Sequence, residues 1–261
     1  MSTLDLQNRP IMWVSAYLID GLLIDCGHHH AKDAFLKELN VQEVEKCVLS
    51  HHHEDHFGAC FDLINNHKIP VYATKETAFL VRTKIRIPPE RMLVWGMPKP
   101  FIASELQNLE KLATKSASFK IIPAPGQCSN LISFYHEKKR LLFSTDAFID
   151  KNQSVIFNWE NAPKMLETFE RLKALNPKYI FLENGNVATV DDLSELIKFW
   201  NKLRTQSQEL YNKGIAPKHI MKDLFGKESY LKDLTSGDMS RENLIRSLLN
   251  LSPIYKQRFR K

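Results

Sequence analysis

Cys47-Val48-Leu49-Ser50 runs directly into His51-His52-His53-Glu54-Asp55-His56, and this stretch decides the reading of the chain. The run Cys47–Leu49 is too short for a helix and follows polar residues, so it reads as a buried strand ending at Ser50. Four histidines and two acids then fill the six positions before Phe57 to Asn65, a segment with helical spacing. Residues two apart in an extended loop point the same way, so His51 and His53 can grip one cation. Asp55 and His56, displaced by the turn into the next helix, can reach a second, and a helix start favours the Asp55 anion. Imidazole nitrogens with a carboxylate suit zinc, iron or manganese. The competing reading, a solvated histidine-rich loop, requires neither this spacing nor a place between strand and helix.

Outward from the motif, strands, loops and helices alternate. Ile11 to Ile19 and Leu22 to Asp25 are apolar runs joined by Asp20-Gly21, a hairpin turn signal. Ala31 to Leu39 has helical spacing. After the motif come a strand at Val71–Ala73 and a helix at Lys75–Thr83. A long excursion, Thr83 to Phe101, follows, with Pro88-Pro89 inside it, and reads as a lid or a partner surface. In the second half, Phe119–Ile122 is a strand and Leu131–Tyr135 with Arg140–Phe143 a hairpin. Ala162–Leu175 is a helix, Tyr179–Leu182 a strand and Asp191–Tyr211 a long amphipathic helix. From Lys213 the pattern is all-helical, with Pro217–Phe225 and a helix capped by Ser240. Such units predict an α/β layered fold over residues 1–212 with a small helical extension at 213–261.

Composition narrows the function classes. Of 261 residues 43% are hydrophobic and 25% charged, an ordinary globular balance. No run approaches the ~18–20 apolar residues of a membrane span, and Met1 to Asp5 lacks the basic start of a secretory signal. A cytoplasmic protein with no membrane partner is expected. The net charge of +6 is dispersed, partly at Lys138, Lys139 and Arg140 and partly at Lys256, Arg258, Arg260 and Lys261. It permits nucleic-acid contact without favouring it. A small-molecule substrate is the expected partner, and self-association is left open. Cys26, Cys47, Cys60 and Cys128 form no CxxC pair and read as core packing, with Cys128 set apart by its neighbour Gln127.

His51-x-His53-x-Asp55-His56 resembles the HxHxDH signature of the metallo-β-lactamase superfamily. Leu22-Leu23-Ile24-Asp25-Cys26-Gly27 is similar to that family's LIDTG segment, Pro123 to Tyr135 to its PGH segment, and Leu142-Phe143-Ser144-Thr145-Asp146 to its GD segment. Leu182-Glu183-Asn184-Gly185 stands where its final histidine segment closes the site. The likeness covers Ile11 to Asn186. It implies a four-layer αββα sandwich and a one- or two-metal hydrolytic site, with zinc as first choice and iron or manganese as alternatives. By position the resemblance assigns His51, His53, Gln127 and Asp146 to one metal. It assigns Asp55, His56, Asn184 and the shared Asp146 to the other, with Asp55 orienting or deprotonating the attacking water.

Two positions depart from the pattern. Gln127 and Asn184 stand where the family carries histidines, and an amide offers only a neutral oxygen. His28, His29 and His30, Glu183 and Cys128 are the neighbours that could compensate. His52 and Glu54 alternate away from the ligands and read as non-ligating. Thr145 replaces a glycine before Asp146, and a β-branched residue restricts that turn. The expected activity is metal-dependent hydrolysis of a small ester, thioester or phosphoester at a degenerate site of one or two metal ions. The alternative is a non-catalytic binding or regulatory protein on the same scaffold.

Overall fold

Asp20 and Gly21 adopt φ of +47° and +83°, the left-handed pair that a two-residue hairpin demands. They join strands Tyr17–Ile19 and Leu22–Ile24 in antiparallel register. A five-stranded sheet grows from this hairpin by parallel addition of Lys46–Val48, Val71–Ala73 and Ser104–Glu105. A second sheet has six strands, in the order Val187–Ala188, Tyr179–Leu182, Leu141–Thr145, Ile132–His136, Ser118–Pro123 and Lys111–Ala113. This computed structural model describes residues 2–4 and 10–253, so the C-terminal basic cluster at 256–261 lies outside the described residues.

Side chains alternate across each strand, and that alternation builds the layers. Leu22, Ile24 and Val48 from the first sheet meet Phe119, Ile121, Ile132, Phe134 and Phe143 from the second. Their neighbours Leu23, Cys47 and Leu49 face the other way, toward Leu63 and Val81 of helices Cys60–Asn65 and Lys75–Val81. Ile122, Leu142 and Ile180 likewise face Phe169 and Trp200 of helices Ala162–Ala174 and Val190–Asn212. The result is the expected four-layer helix–sheet–sheet–helix sandwich. All four cysteines are buried, with Cys26 and Cys60 in sulfur contact at 3.1 Å.

Two local expectations change. The helix after the histidine motif starts at Cys60, not Phe57. Gly58 packs so closely on the Gly27–His29 backbone that a Cβ there would lie 2.2 Å from the His28 carbonyl carbon. The chain must pass that point before it can coil, so Asp55 gains nothing from a helix start. Similarly, Ala31–Leu39 divides into a 3-10 turn, His29–Ala31, and a helix, Lys32–Glu38.

The excursion at 83–101 forms a short helix, Pro89–Trp95, with proline in its first turn. It leans over the sandwich and lines the central cavity through Arg91 and Trp95. In the extension, helices Pro217–Phe225 and Arg241–Leu248 place Ile220, Met221, Leu244, Ile245 and Leu248 in the same core as Phe169 and Trp200. Met239–Ser240 pairs with Ile156–Phe157, and Ser240 caps its helix by accepting from the Asn243 amide. Among the described residues no helix is long and apolar enough to cross a membrane.

Candidate metal centre

Five strands end at one edge of the sandwich, and each delivers a polar residue there. Asp25 follows Leu22–Ile24, His51 to His56 follow Lys46–Val48, and Gln127 follows Ser118–Pro123. Asp146 follows Leu141–Thr145, and Glu183 with Asn184 follows Tyr179–Leu182. The loops are stitched together by backbone: the Cys26 amide donates to the His56 carbonyl at 2.8 Å, and the Gly58 amide to Gly27 at 2.6 Å.

Asp25 organises the histidines. Buried and held at φ +57°, its carboxylate accepts from the Ser50 amide at 2.8 Å, the Ser50 hydroxyl at 2.7 Å and His56 Nδ1 at 2.9 Å. Because the Ser50 hydroxyl donates to Asp25, its oxygen is left to accept from His51 Nδ1, 2.9 Å away. Both imidazoles therefore carry their fixed proton on Nδ1 and turn Nε2 inward, leaving that nitrogen's lone pair free to ligate a metal.

Those inward nitrogens meet carboxylates. His56 Nε2 lies 2.9 Å from Asp146 Oδ1, 3.6 Å from Glu183 Oε1 and 4.0 Å from Asp55 Oδ2, while His51 Nε2 lies 3.4 Å from Asp146 Oδ2. A bare imidazole lone pair facing a carboxylate oxygen at such distance needs a proton or a metal ion between them. Burial alone would lower His56, but Asp146, Asp25 and Asp55 outweigh it and raise its pKa well above the usual imidazole range. Asp146, which burial would raise, is held well below the carboxylate range by His56 and His51. Burial and then the Asp146 charge push Glu183 well up.

The donor set fits a divalent ion. His51 Nε2, His56 Nε2, Asp55 Oδ1, Gln127 Oε1 and Asp146 Oδ1 are buried and make no hydrogen bond. Orphaned buried acceptors carry a large desolvation penalty unless something charged satisfies them. Ligand atoms of His51, His56 and Asp146 lie within 4.8 Å of one another, as do those of Asp55, His56 and Glu183, and those of His51, His53 and Cys128.

The two amides at the departing positions behave differently. Gln127 Nε2 donates to His53 Nδ1 at 2.8 Å and to Asp146 Oδ2 at 3.1 Å, so the amide satisfies two acceptors that one metal would otherwise share. Asn184 is engaged with backbone: its Nδ2 donates to the Ile149 carbonyl and its Oδ1 accepts from the Asn186 amide, both at 3.0 Å. Glu183, one residue earlier, points its carboxylate at His56 instead. Of the other candidates, His28 packs on Trp95 with ring centroids 5.1 Å apart, and His29 and His30 border Gly96. His52 turns to Asn130 at 2.9 Å and Glu54 to Arg91 at 2.5 Å. Thr145 is held at φ +51°, with its hydroxyl donating to the Ser144 carbonyl at 2.7 Å. A β-branched residue is strained in that region.

Arg91 and Glu160 enter from outside the strand ends. The Arg91 guanidinium, brought by helix Pro89–Trp95, also lies 3.5 Å from Asp55 Oδ1 and 5.6 Å over the Phe157 ring. Nothing marks it in a segment already rich in arginine and lysine. Glu160 lines the same cavity, and burial raises its carboxyl to about 8. A raised acid stabilises the fold fully below its ordinary pKa, and that contribution is lost as pH rises toward 8. Glu160→Gln is therefore expected to match the parent near pH 4.5 and to exceed it by on the order of 3 kcal/mol above pH 8. Urea unfolding of the chelator-treated proteins at the two pH values checks this.

Residues 14–183 match the family model for the metallo-β-lactamase superfamily. The chain belongs to the metallo-β-lactamase superfamily. A metallo-β-lactamase family protein of Thermus thermophilus is 18% identical and superposes with a TM-score of 0.60, covering 90% of this chain and 86% of that one. An archaeal superfamily member from Sulfolobus tokodaii is 19% identical with a TM-score of 0.56, over 73% and 82% of the two chains. Hydroxyacylglutathione hydrolase of Nitrosomonas eutropha is 24% identical over 164 residues, 63% of this chain and 56% of its own length. The chain spans about half the length of the curated relatives it matches. The matched span contains the histidine motif and the strand ends at which its orphaned acceptors lie.

Proposed function

We propose that this superfamily member is a metal-dependent hydrolase of a small ester or thioester, with one divalent ion held by Asp55, His56, Glu183 and Asp146. The observation that carries the proposal is the clustering of acceptors from three strand ends about His56, which groups with Asp146 on one side and with Asp55 and Glu183 on the other, several of them buried and unsatisfied. A bound divalent ion would lower the pKa of a water toward ~7 and polarise the scissile carbonyl. The chain's own residues do the rest. Asp25 fixes the His56 and His51 tautomers, Asp55 accepts a proton from the attacking water, and Arg91 braces Asp55 from the lid. Zinc is the first choice, and a set with three carboxylates to one imidazole makes iron and manganese direct competitors.

Matched relatives named hydroxyacylglutathione hydrolase make a thioester the leading substrate type; a phosphoester stands behind it. Residues 1–212 form the hydrolase domain in this reading. Residues 213–261 act as an extension completing its pocket, supported by Leu231 and Met239 at the cavity wall.

One-metal occupancy follows from Gln127, whose NH2 group stands between His53 and Asp146. Gln127→His is expected to raise bound zinc from about one to about two ions per chain in equilibrium dialysis. An unchanged ratio would show that the amide is not what keeps the first position closed. The same hydrogen bonds favour the second reading, a metal-free binding protein, since they satisfy His53 and Asp146 without any ion. The bare His51 and His56 nitrogens oppose it. An activity test separates the two. Chelator-treated protein should hydrolyse a chromogenic thioester only after zinc, iron(II) or manganese(II) is restored, and Asp146→Ala should not recover. Equal turnover with and without metal would overturn the proposal.

A further inference from the structure

The chain carries a net charge of +6, yet the cavity over the candidate metal centre is acidic. Its volume is about 460 Å³, and Asp55, Asp146, Asp150, Glu160 and Glu183 line it against a single guanidinium, that of Arg91. Arg91 is already taken, by Glu54 at 2.5 Å and Asp55 at 3.5 Å. Among the described residues no lysine and no second arginine reaches the lining. A divalent ion leaves the lining net negative, even with Glu160 protonated. The rest of the wall is largely apolar, with Trp95 from the lid, Phe157, and Leu231 and Met239 from the extension.

A glutathione thioester brings two carboxylates and one ammonium, a net negative charge. Binding it here would strip water from carboxylates beside other carboxylates with no free cation among the described lining residues to pair them, and like-charge juxtaposition is strongly unfavourable. An uncharged thioester meets no such opposition, and the aromatic and aliphatic walls reward its burial. We propose that the pocket selects an uncharged, apolar-flanked thioester or ester and discriminates against glutathione thioesters. This rests on the hydrolase reading for its chemistry, though not for its charge argument. It also separates the chain from the activity named in its curated relatives.

The test uses two matched pairs on the full chain reconstituted with zinc. S-phenylacetyl-N-acetylcysteamine and S-phenylacetylglutathione share the reacting bond and the acyl group and differ in charge. The neutral one is expected to show kcat/KM at least about tenfold higher. Asp150→Lys should narrow that gap at least about threefold by improving the glutathione ester. The non-hydrolysable thioethers S-benzyl-N-acetylcysteamine and S-benzylglutathione, titrated by calorimetry, should show the same order in Kd. Tighter neutral thioether binding with turnover of neither thioester would sink the hydrolase reading and leave the pocket's preference standing. Equal or tighter binding of S-benzylglutathione, or no binding of either at millimolar concentration, would overturn the proposal whatever the turnover.

Discussion

Glu183→Ala is expected to lower divalent-metal affinity by about 100-fold or more, while Asn184→Ala leaves it within about threefold. Position 184 is where the family pattern places a histidine. In this chain the Asn184 amide is held by the Ile149 carbonyl and the Asn186 amide, so its removal loosens a turn and exposes no ligand site. The Glu183 carboxylate stands 3.6 Å from His56 Nε2 and within 4.8 Å of an Asp55 ligand atom. Its raised pKa has the same origin: burial, then the Asp146 and Asp55 charges, disfavour its carboxylate form. Metal binding at this carboxylate is therefore coupled to proton release, and affinity should weaken as pH falls. Competition with a fluorescent zinc chelator across pH 6–8 measures all three effects. Comparable losses for both variants would remove Glu183 from the ligand set.

The second large effect is expected at Asp25, which touches no metal in this account. Asp25→Ala should weaken metal binding about 10- to 100-fold, the range for a lost partner of a ligating histidine. It should also destabilise the fold by roughly 3–5 kcal/mol. The variant strands a buried Ser50 amide and a His56 Nδ1–H, and frees the Ser50 hydroxyl that orients His51. Each unsatisfied buried group carries about 1–3 kcal/mol. Asn tolerates the left-handed backbone at φ +57°, so Asp25→Asn separates backbone strain from charge. It should recover part of the stability but little of the metal affinity. Urea unfolding with and without zinc distinguishes the two contributions, and an Asp25→Ala protein binding zinc as the parent does would contradict the account.

The layered fold was legible in the sequence because period-2 alternation and hairpin chemistry are local. Asp20-Gly21, Leu22 to Ile24 and Tyr179 to Leu182 can be read from a few neighbouring residues, and so can the proline and serine that open helices in the extension. The histidine motif was legible for the same reason. What was not legible depends on packing between distant segments. The helix start moved from Phe57 to Cys60 because Gly58 presses on His28, 30 residues away in sequence. The approach of Glu183 rather than Asn184 to the histidines depends on which turn the Ile149 carbonyl captures. Arg91 and Glu160 reach the cavity through the 83–101 excursion and a strand pair distant in sequence, which no local pattern encodes. The acidic cavity in a basic chain is invisible to composition.

Elemental analysis of untagged protein, purified without chelator and compared with Asp146→Ala, tests the central claim most directly. Asp146 contacts both His51 and His56 and accepts from Gln127, so its loss takes away the carboxylate that links the two histidines. The account predicts about one zinc, iron or manganese ion per chain in the parent and essentially none in the variant. A parent that stays metal-free after incubation with each of these ions, or a variant that keeps its full complement, would contradict it.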